Sequence, residues 1–370
     1  MIIVRKIVNR LLYRVLYKWF IKKGFSAYMA SYYAKHVISD FFINEEKLSL
    51  KQRVWALKRG FWADKINFYQ LTEDNYRDYL SDFDYYRMFP LNKGGYSKWI
   101  DDKLTLKYIL SKYNEFLPEY YAEIDHGGNI TCLMDYPPNC LRGIEGLINI
   151  LEIKGVLAVK KVAGSLSEGF YKFEYDGKDY FVNSTCYNLS EFKSFISDLK
   201  GYLVTEFVVQ HSWLREIWYE TVHTLRIQTV KYNHKKAECL FAFIRMGSKK
   251  ILHAIGSADL GVTANVDSDT GEIRNGFLRN DNGTWVTCIA HPDTKKSIVG
   301  KVPHWDEIVN KCIEIHEYIG KLEYIGFDII VTDESFKIIE INSHSTIRPV
   351  QYEFPILANE RCAEYFKRYL

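Results

Sequence analysis

Paired cysteines are missing from this 370-residue chain. Its seven, Cys132, Cys140, Cys186, Cys239, Cys288, Cys312 and Cys362, are odd in number and none falls in a CxxC pair. That argues against a disulfide framework and against a zinc site, and it points to a reducing cytosol with buried, inert thiols. No apolar run of membrane-spanning length opens the chain, because charges interrupt every such run in residues 1–23. No small-residue cleavage site follows them, so a secretory signal is not expected either. The body shows no basic stripe with interleaved aromatics, which argues against a nucleic-acid partner. No nucleophile elbow supports a Ser-His-Asp or Cys-His reading. With 47% hydrophobic and 26% charged residues, the composition is that of a globular protein, not a disordered one.

What is present begins with length, which suits two or three domains rather than one small core. Aromatic residues make up 16% of the chain and Tyr dominates them with 28 copies. This is either carbohydrate-facing or interfacial surface, or a compositional bias. The net charge of +3 hides an asymmetry. Residues 1–23 carry Arg5, Lys6, Arg10, Arg14, Lys18, Lys22 and Lys23 and no acid, leaving 42 basic against 46 acidic residues elsewhere, a net of −4. In the same segment Val4, Ile7, Val8, Leu11, Leu12, Val15, Leu16, Trp19 and Phe20 form an apolar stripe winding slowly around a helix beside the basic one. The pattern predicts a basic amphipathic helix on an anionic membrane surface, hence a cytoplasmic protein peripherally associated with the inner face of the cytoplasmic membrane. The alternative is a helix docked on the protein's own core or on a partner.

Residues 26–95 read as mainly helical. In SKWIDDKLTLKYIL, Asp101 or Asp102 is placed to cap a helix carrying Leu104, Ile109 and Leu110, with Lys103 in its first turn. GVLAVKKVAGSLSEGFYKFEYDGKDYFVN reads as a strand, a loop with Gly164 and Gly169, a strand, an Asp176-Gly177 turn and a third strand. Such a loop can fold over phosphates through its backbone amides, and Lys160 or Lys161 supplies the positive charge. A helix near residues 190–200 precedes YLVTEFVVQH, a buried strand ending in polar residues. TVHTLRIQTV and AECLFAFIRMG are further strands, each with one arginine, Arg226 and Arg245, in apolar alternation. Arginine is rarely buried without a partner, so each marks an internal ion pair or an anion site.

YIGFDIIVTDESFKIIEINSHSTIRP predicts a hairpin of strand 324–332, turn 333–335 and strand 336–342. With the turn centred on Glu334, Phe327 faces Ile341 and Ile329 faces Ile339 on an apolar face. On the other face Asp328 lies opposite Glu340, and Asn342 points the same way as Glu340. Carboxylates so placed stand about 5 Å apart and repel. A cation relieves that repulsion, and Asp, Glu and Asn oxygens are the hard ligands that magnesium prefers. The alternative is a solvated acidic face.

With these residues in place, the chain resembles the ATP-grasp superfamily, and more closely the sugar-transfer-associated ATP-grasp family of bacterial polysaccharide gene clusters. The resemblance covers about residues 50–350. It is carried by DDK at 101–103, AVKKVAGS at 158–165, TEFVVQH at 205–211, HTLRI at 223–227, HPDT at 291–294, GFDIIV at 326–331 and IIEIN at 338–342. It implies an α+β ATP-grasp fold, two α+β lobes clasping ATP, with a helical N-terminal extension. The expected segments are a membrane-associating helix at 1–25, a helical region at 26–95, an N-terminal ATP-grasp subdomain at 96–155, a lid at 156–205 and a catalytic subdomain at 206–370. For ATP, the resemblance implies Lys103 and Lys160 at the phosphates, Ser165 in the phosphate loop, Glu206, Phe207 and Val208 at adenine, and Gln210 at the ribose. It implies Arg226 and Arg245 near the γ-phosphate and acyl phosphate, Arg348 at an anionic substrate, and Asp328, Glu340 and Asn342 on Mg2+. The chain departs from the family at Leu166, Ser167 and Glu168, where glycine is usual. It departs again at Lys161, where proline often follows the lysine, and at Leu260-Gly261, where a glycine pair is expected.

The implied reaction is ATP-dependent joining of a carboxylate to an amine through an acyl phosphate. The implied partners are a sugar or glycan of a capsule or surface polysaccharide and an amine or amino acid. Two other readings share the nucleotide site: a phosphotransferase acting on a hydroxyl, and a non-catalytic nucleotide-binding subunit of a membrane glycan-assembly complex.

Overall fold

The structure, a computed structural model, describes residues 2–43, 47–88, 91–92, 94–162, 169–233, 235–250 and 261–370. The chain divides into two compact units, one of Met1–Pro90, Asp281–Trp285 and Gln351–Leu370, the other of Leu91–Asn280 and Val286–Val350. Among the described residues the helices are α1 (Ile2–Lys22), α2 (Ala27–Ile43), α3 (Leu50–Lys58), α4 (Asp64–Phe68), α5 (Asp82–Met88), α6 (Lys98–Asp101), α7 (Lys103–Ile109), α8 (Gly143–Lys154), α9 (Leu189–Asp198), α10 (Ser212–Ile217), α11 (Trp305–Ile319) and α12 (Glu360–Phe366).

The first unit is helical. α1 and α2 form a hairpin that turns at Gly24, whose φ of +91° suits a residue without Cβ. Its core is Phe20, Phe25, Ala30, Tyr33, Ala34 and Phe83, with Tyr13, Leu16, Tyr17 and Trp19 packed against it. Of the apolar stripe expected to face a membrane, Leu16, Trp19 and Phe20 pack in this core, while Leu11 and Val15 stay exposed.

The second unit holds two seven-stranded antiparallel sheets. The first runs β2 (Ile130–Cys132), β1 (Tyr120–Ile124), β7 (Tyr202–Glu206), β3 (Val156–Lys161), β4 (Tyr171–Tyr175), β5 (Tyr180–Val182), β6 (Thr185–Tyr187). α8 and α9 cover one face, where Ile150, Leu151, Phe192 and Ile196 pack on Leu157, Val159, Phe173 and Val204. Asn188 and Glu191 close a capping box at the start of α9. Because Leu157 and Val159 face this core, Ala158 and Lys160 face away from it.

The second sheet runs β13 (Trp285–Cys288), β12 (Gly276–Arg279), β10 (Val262–Val266), β9 (Glu238–Met246), β8 (Thr224–Val230), β15 (Tyr324–Val331), β16 (Phe336–Asn342). A small ribbon pairs β11 (Glu272–Ile273) with β14 (Gly300–Lys301). One face of the second sheet is apolar: Leu225, Ile227, Ala242, Ile244, Phe327 and Ile329 pack with Ile308, Cys312 and Ile315 of α11. The period-two rule then sends Arg226 and Gln228, Phe243 and Arg245, Thr263 and Asn265, and Gly326 and Asp328 to the opposite face.

The β15–β16 hairpin pairs Phe327 with Ile341 and Asp328 with Glu340, as the sequence predicts. The expected pairing of Ile329 with Ile339 does not occur. Ile329 pairs with Ile338, and Ile339 is the extra residue of a β-bulge. The bulge reconciles two demands on β16. Ile338 and Ile341 both enter the core, which strict alternation forbids, while Glu340 and Asn342 still share the polar face.

Candidate active site

Three strands set the centre of the site. Arg226 on β8 pairs with Asp328 on β15, which pairs with Glu340 on β16, so the three side chains stand in one row. Arg226 donates to both oxygens of Asp328, Nε to Oδ1 and Nη2 to Oδ2, each at 2.6 Å. Arg245 Nη2 adds a third bond at 3.1 Å and Asn342 Nδ2 a fourth at 3.3 Å. Burial pushes the Asp328 carboxyl up, and the two guanidinium groups outweigh it, leaving the acid below its ordinary range. Burial works against Arg226 as well, and Asp328 raises it above its usual value. Arg245, buried and beside Arg226, is lowered. Asp328 is thus paired with two of the protein's own cations, which offset its repulsion with Glu340.

Glu340 has a different setting. It is half-buried, and Lys103 Nζ stands 3.4 Å from its Oε1. Asp102 is the residue that caps α7, accepting from Thr105 N–H at 2.7 Å, and this places Lys103 at the first helical position. Lys160 Nζ lies 3.4 Å from the carbonyl oxygen of Ile339, the bulge residue that has no ladder partner on β15. Burial, then the nearby Lys103, pushes Lys160 down to about 8, against the opposing pull of Glu340. The structure thus brings Lys103, Lys160 and Glu340 together from three distant segments. It also separates Lys160 from Lys161, which is exposed and turns to the other face of β3.

Glu206 ends β7, and residues 207–210 run without regular structure toward α10. The Glu206 N–H donates to Glu119 O at 2.9 Å, and its carboxylate accepts from Glu119 N–H at 3.0 Å. Phe207 lies under Lys172, with Nζ 5.0 Å from the ring centre, and Val208 is buried. Gln210 is buried and engaged by backbone: its Nδ-equivalent amide, Nε2, donates to Trp218 O and Thr221 O at 3.0 and 3.3 Å, and its Oε1 accepts from His223 N–H at 2.7 Å. This side chain, expected at a ribose, ties down residues 218–223. Arg348 lies beyond Asn342, half-buried, its N–H donating to Thr346 Oγ1 at 3.2 Å. Ser165 lies outside the described residues, as do Gly164, Leu166, Ser167, Glu168 and Leu260.

Sequence reasoning missed the support beneath the row. Asp101 accepts from Ser343 N–H and Oγ–H at 2.9 and 2.7 Å, which pins the segment after β16. Arg226 Nη1 donates to Ser345 Oγ at 2.5 Å. Ser345 reaches it because residue 326 is glycine: a Cβ there would stand 2.4 Å from that hydroxyl. The signal in the sequence was the serine pair in NSHST, but its partners lie far away along the chain. On the same face Arg245 Nε, Gln228 Oε1, Thr263 Oγ1 and Asn265 Oδ1 are buried with no hydrogen-bond partner. They are a mixed set of buried donors and acceptors.

Among the described residues no three His, Cys, Asp or Glu side chains cluster to hold a metal. Magnesium does not require that, since one or two carboxylates with phosphate oxygens and water suffice. The half-buried Glu340 carboxylate and the Asn342 side-chain oxygen fit such an ion, whereas Asp328 is already engaged by four donors.

Two sheets linked through residues 207–210, with Lys160 on the first and an acid–arginine row on the second, define an ATP-grasp protein. The chain belongs to the sugar-transfer associated ATP-grasp family, whose description matches residues 83–359. Proteins of this fold generally use ATP and Mg2+. Among solved structures, the chain is similar to the ATP-grasp ligase PsnB complexed with minimal precursor, at 12% identity and a TM-score of 0.41, over 75% of this chain and 62% of that one. It is also similar to D-alanyl-alanine synthetase A from Vibrio cholerae O1 biovar eltor str. N16961, at 11% identity and a TM-score of 0.42, over 74% and 66%. The chain thus spans less than two thirds of the length of either. No curated protein sequence matches it. No described helix is long and apolar enough to cross a membrane.

Proposed function

We propose that this chain is an ATP- and Mg2+-dependent ligase that joins a carboxylate to an amine through an acyl phosphate. Its substrates in this reading are a sugar or glycan precursor of a bacterial capsule or surface polysaccharide and an amine or amino acid. The observation that carries the reading is the Arg226–Asp328–Glu340 row with Lys103 and Lys160 at its Glu340 end. Its lysines and arginines bind anions and its two acids hold cations in place, which is what phosphoryl transfer between two bound anions requires.

In this reading Lys103 and Lys160 hold the ATP phosphates, and the backbone of residues 206–208 faces adenine. Glu340 and Asn342 hold Mg2+, which neutralises phosphate charge when bound. The substrate carboxylate attacks the γ-phosphorus and ADP leaves. Arg226 and Arg245 stabilise charge on the transferring group, and Asp328 holds both guanidinium groups in place. The amine then attacks the acyl carbon, inorganic phosphate leaves and the amide remains. Arg348 contacts the acceptor.

The test incubates the protein with ATP, Mg2+ and a panel of sugar acids and amines, and follows ADP, free phosphate and product mass. Amide, ADP and phosphate are expected in equal amounts. A phosphorylated sugar without free phosphate transfers the case to the phosphotransferase. Glu340→Gln should keep its thermal midpoint and lose at least about a hundredfold in turnover. Full activity in that variant removes the metal assignment.

A further inference from the structure

The helical unit presents a surface that the ligase reading does not use. At 100° per residue, Arg10, Leu11, Arg14, Val15, Lys18 and Lys22 fall within an arc of about 140° on α1, and all are exposed. Tyr13, Leu16, Tyr17 and Phe20 occupy the opposite side, packed in the core. Leu11 and Val15 are 57% and 65% exposed, unusual for aliphatic side chains on a helix whose other half is built into a core. α2 adds exposed Tyr28, Tyr32 and Lys35, spaced four and three residues apart. Residues 1–23 contain no acid that would neutralise the cations.

We propose that this face of α1 seats the protein on an anionic membrane surface. The charges fit lipid phosphates, and the interleaved aliphatics fit the boundary between headgroups and acyl chains. A polyanion without an apolar layer, such as duplex DNA, has no use for Leu11 and Val15. Because the opposite side of α1 is already packed, the surface is formed before contact with lipid. The chain therefore binds without a coil-to-helix transition, unlike a free amphipathic segment.

The experiment sediments the full chain with vesicles of phosphatidylcholine, with or without one third phosphatidylglycerol. The two double variants are Arg14→Glu with Lys18→Glu, and Leu11→Ser with Val15→Ser. All four positions are exposed, and thermal midpoints verify the fold. Binding is expected only to the anionic vesicles and should weaken in high salt. Charge reversal should lower the partition coefficient roughly 30-fold or more, from about fivefold per lost basic residue. The serine pair should lower it several-fold, and circular dichroism should be unchanged by vesicles. No binding to anionic vesicles, equal binding to neutral ones, or binding untouched by charge reversal overturns the proposal. So does preference for duplex DNA over vesicles, or a gain of helicity on lipid.

Discussion

Asp328 accepts four hydrogen bonds while its row neighbour Glu340 keeps one long ion pair, so two acids that look alike in sequence have opposite duties. Removing the charge at Asp328 leaves two buried guanidinium groups without their counter-ion. Asp328→Asn should therefore cost about 3–5 kcal/mol of stability, measured by urea unfolding. Glu340→Gln, half-buried and paired at 3.4 Å, should cost less than about 1 kcal/mol. Equal, small losses in both variants would mean that Asp328 is not committed to the arginines. The opposition of Asp328 and Glu340 was legible because cross-strand pairing follows from a short turn. The arginines were not, because β8 and β15 are brought together by the fold and not by the local pattern.

Among the elements, the bulge at Ile339 and the segment after β7 carry the site. The bulge frees one carbonyl for Lys160 and keeps Glu340 and Asn342 on the polar face. Gln210 fastens residues 218–223 at the start of β8, which bears Arg226. Gln210→Ala removes three hydrogen bonds from buried backbone groups. It should lower stability by at least about 2 kcal/mol, with little change in KM for ATP in the fraction that remains folded. A raised KM at unchanged stability would support the ribose role that the family resemblance implies. The family resemblance places Gln210 at the ribose, a position where a polar side chain commonly stands in the family. Three backbone partners in a loop cannot be seen in that pattern.

For the molecule as a whole, two buried histidines set its response to acid. Burial pushes His316 down to about 4 and His223 to about 3, in the second case helped by His291. Unfolded, each titrates near 6.5. The unfolded chain therefore binds more protons as pH falls below 6.5, while the folded chain stays neutral at both sites. Their stabilising contribution is complete above that pH and is lost on the way down to 4 and 3. Between pH 7 and 5 the loss should be about 2 kcal/mol for each histidine. Urea midpoints across this range measure it, and His316→Gln should remove part of the slope. A flat profile would show that neither ring is held neutral by the fold.

By itself the sequence determined the strands β3, β4, β5, β7, β8, β9, β15 and β16, the pairing of Asp328 with Glu340 and the cationic character of α1. Each of these is written in local periodicity or in charge counted along one element. Tertiary structure alone decided four things. It put two arginines on Asp328, directed Lys160 instead of Lys161 toward the row, and tied Gln210 to a loop. It also packed Leu16, Trp19 and Phe20 of α1 in the protein's own core and left Leu11 and Val15 exposed. All four are contacts between segments far apart in the chain, and periodicity within one element carries no information about which element will face it.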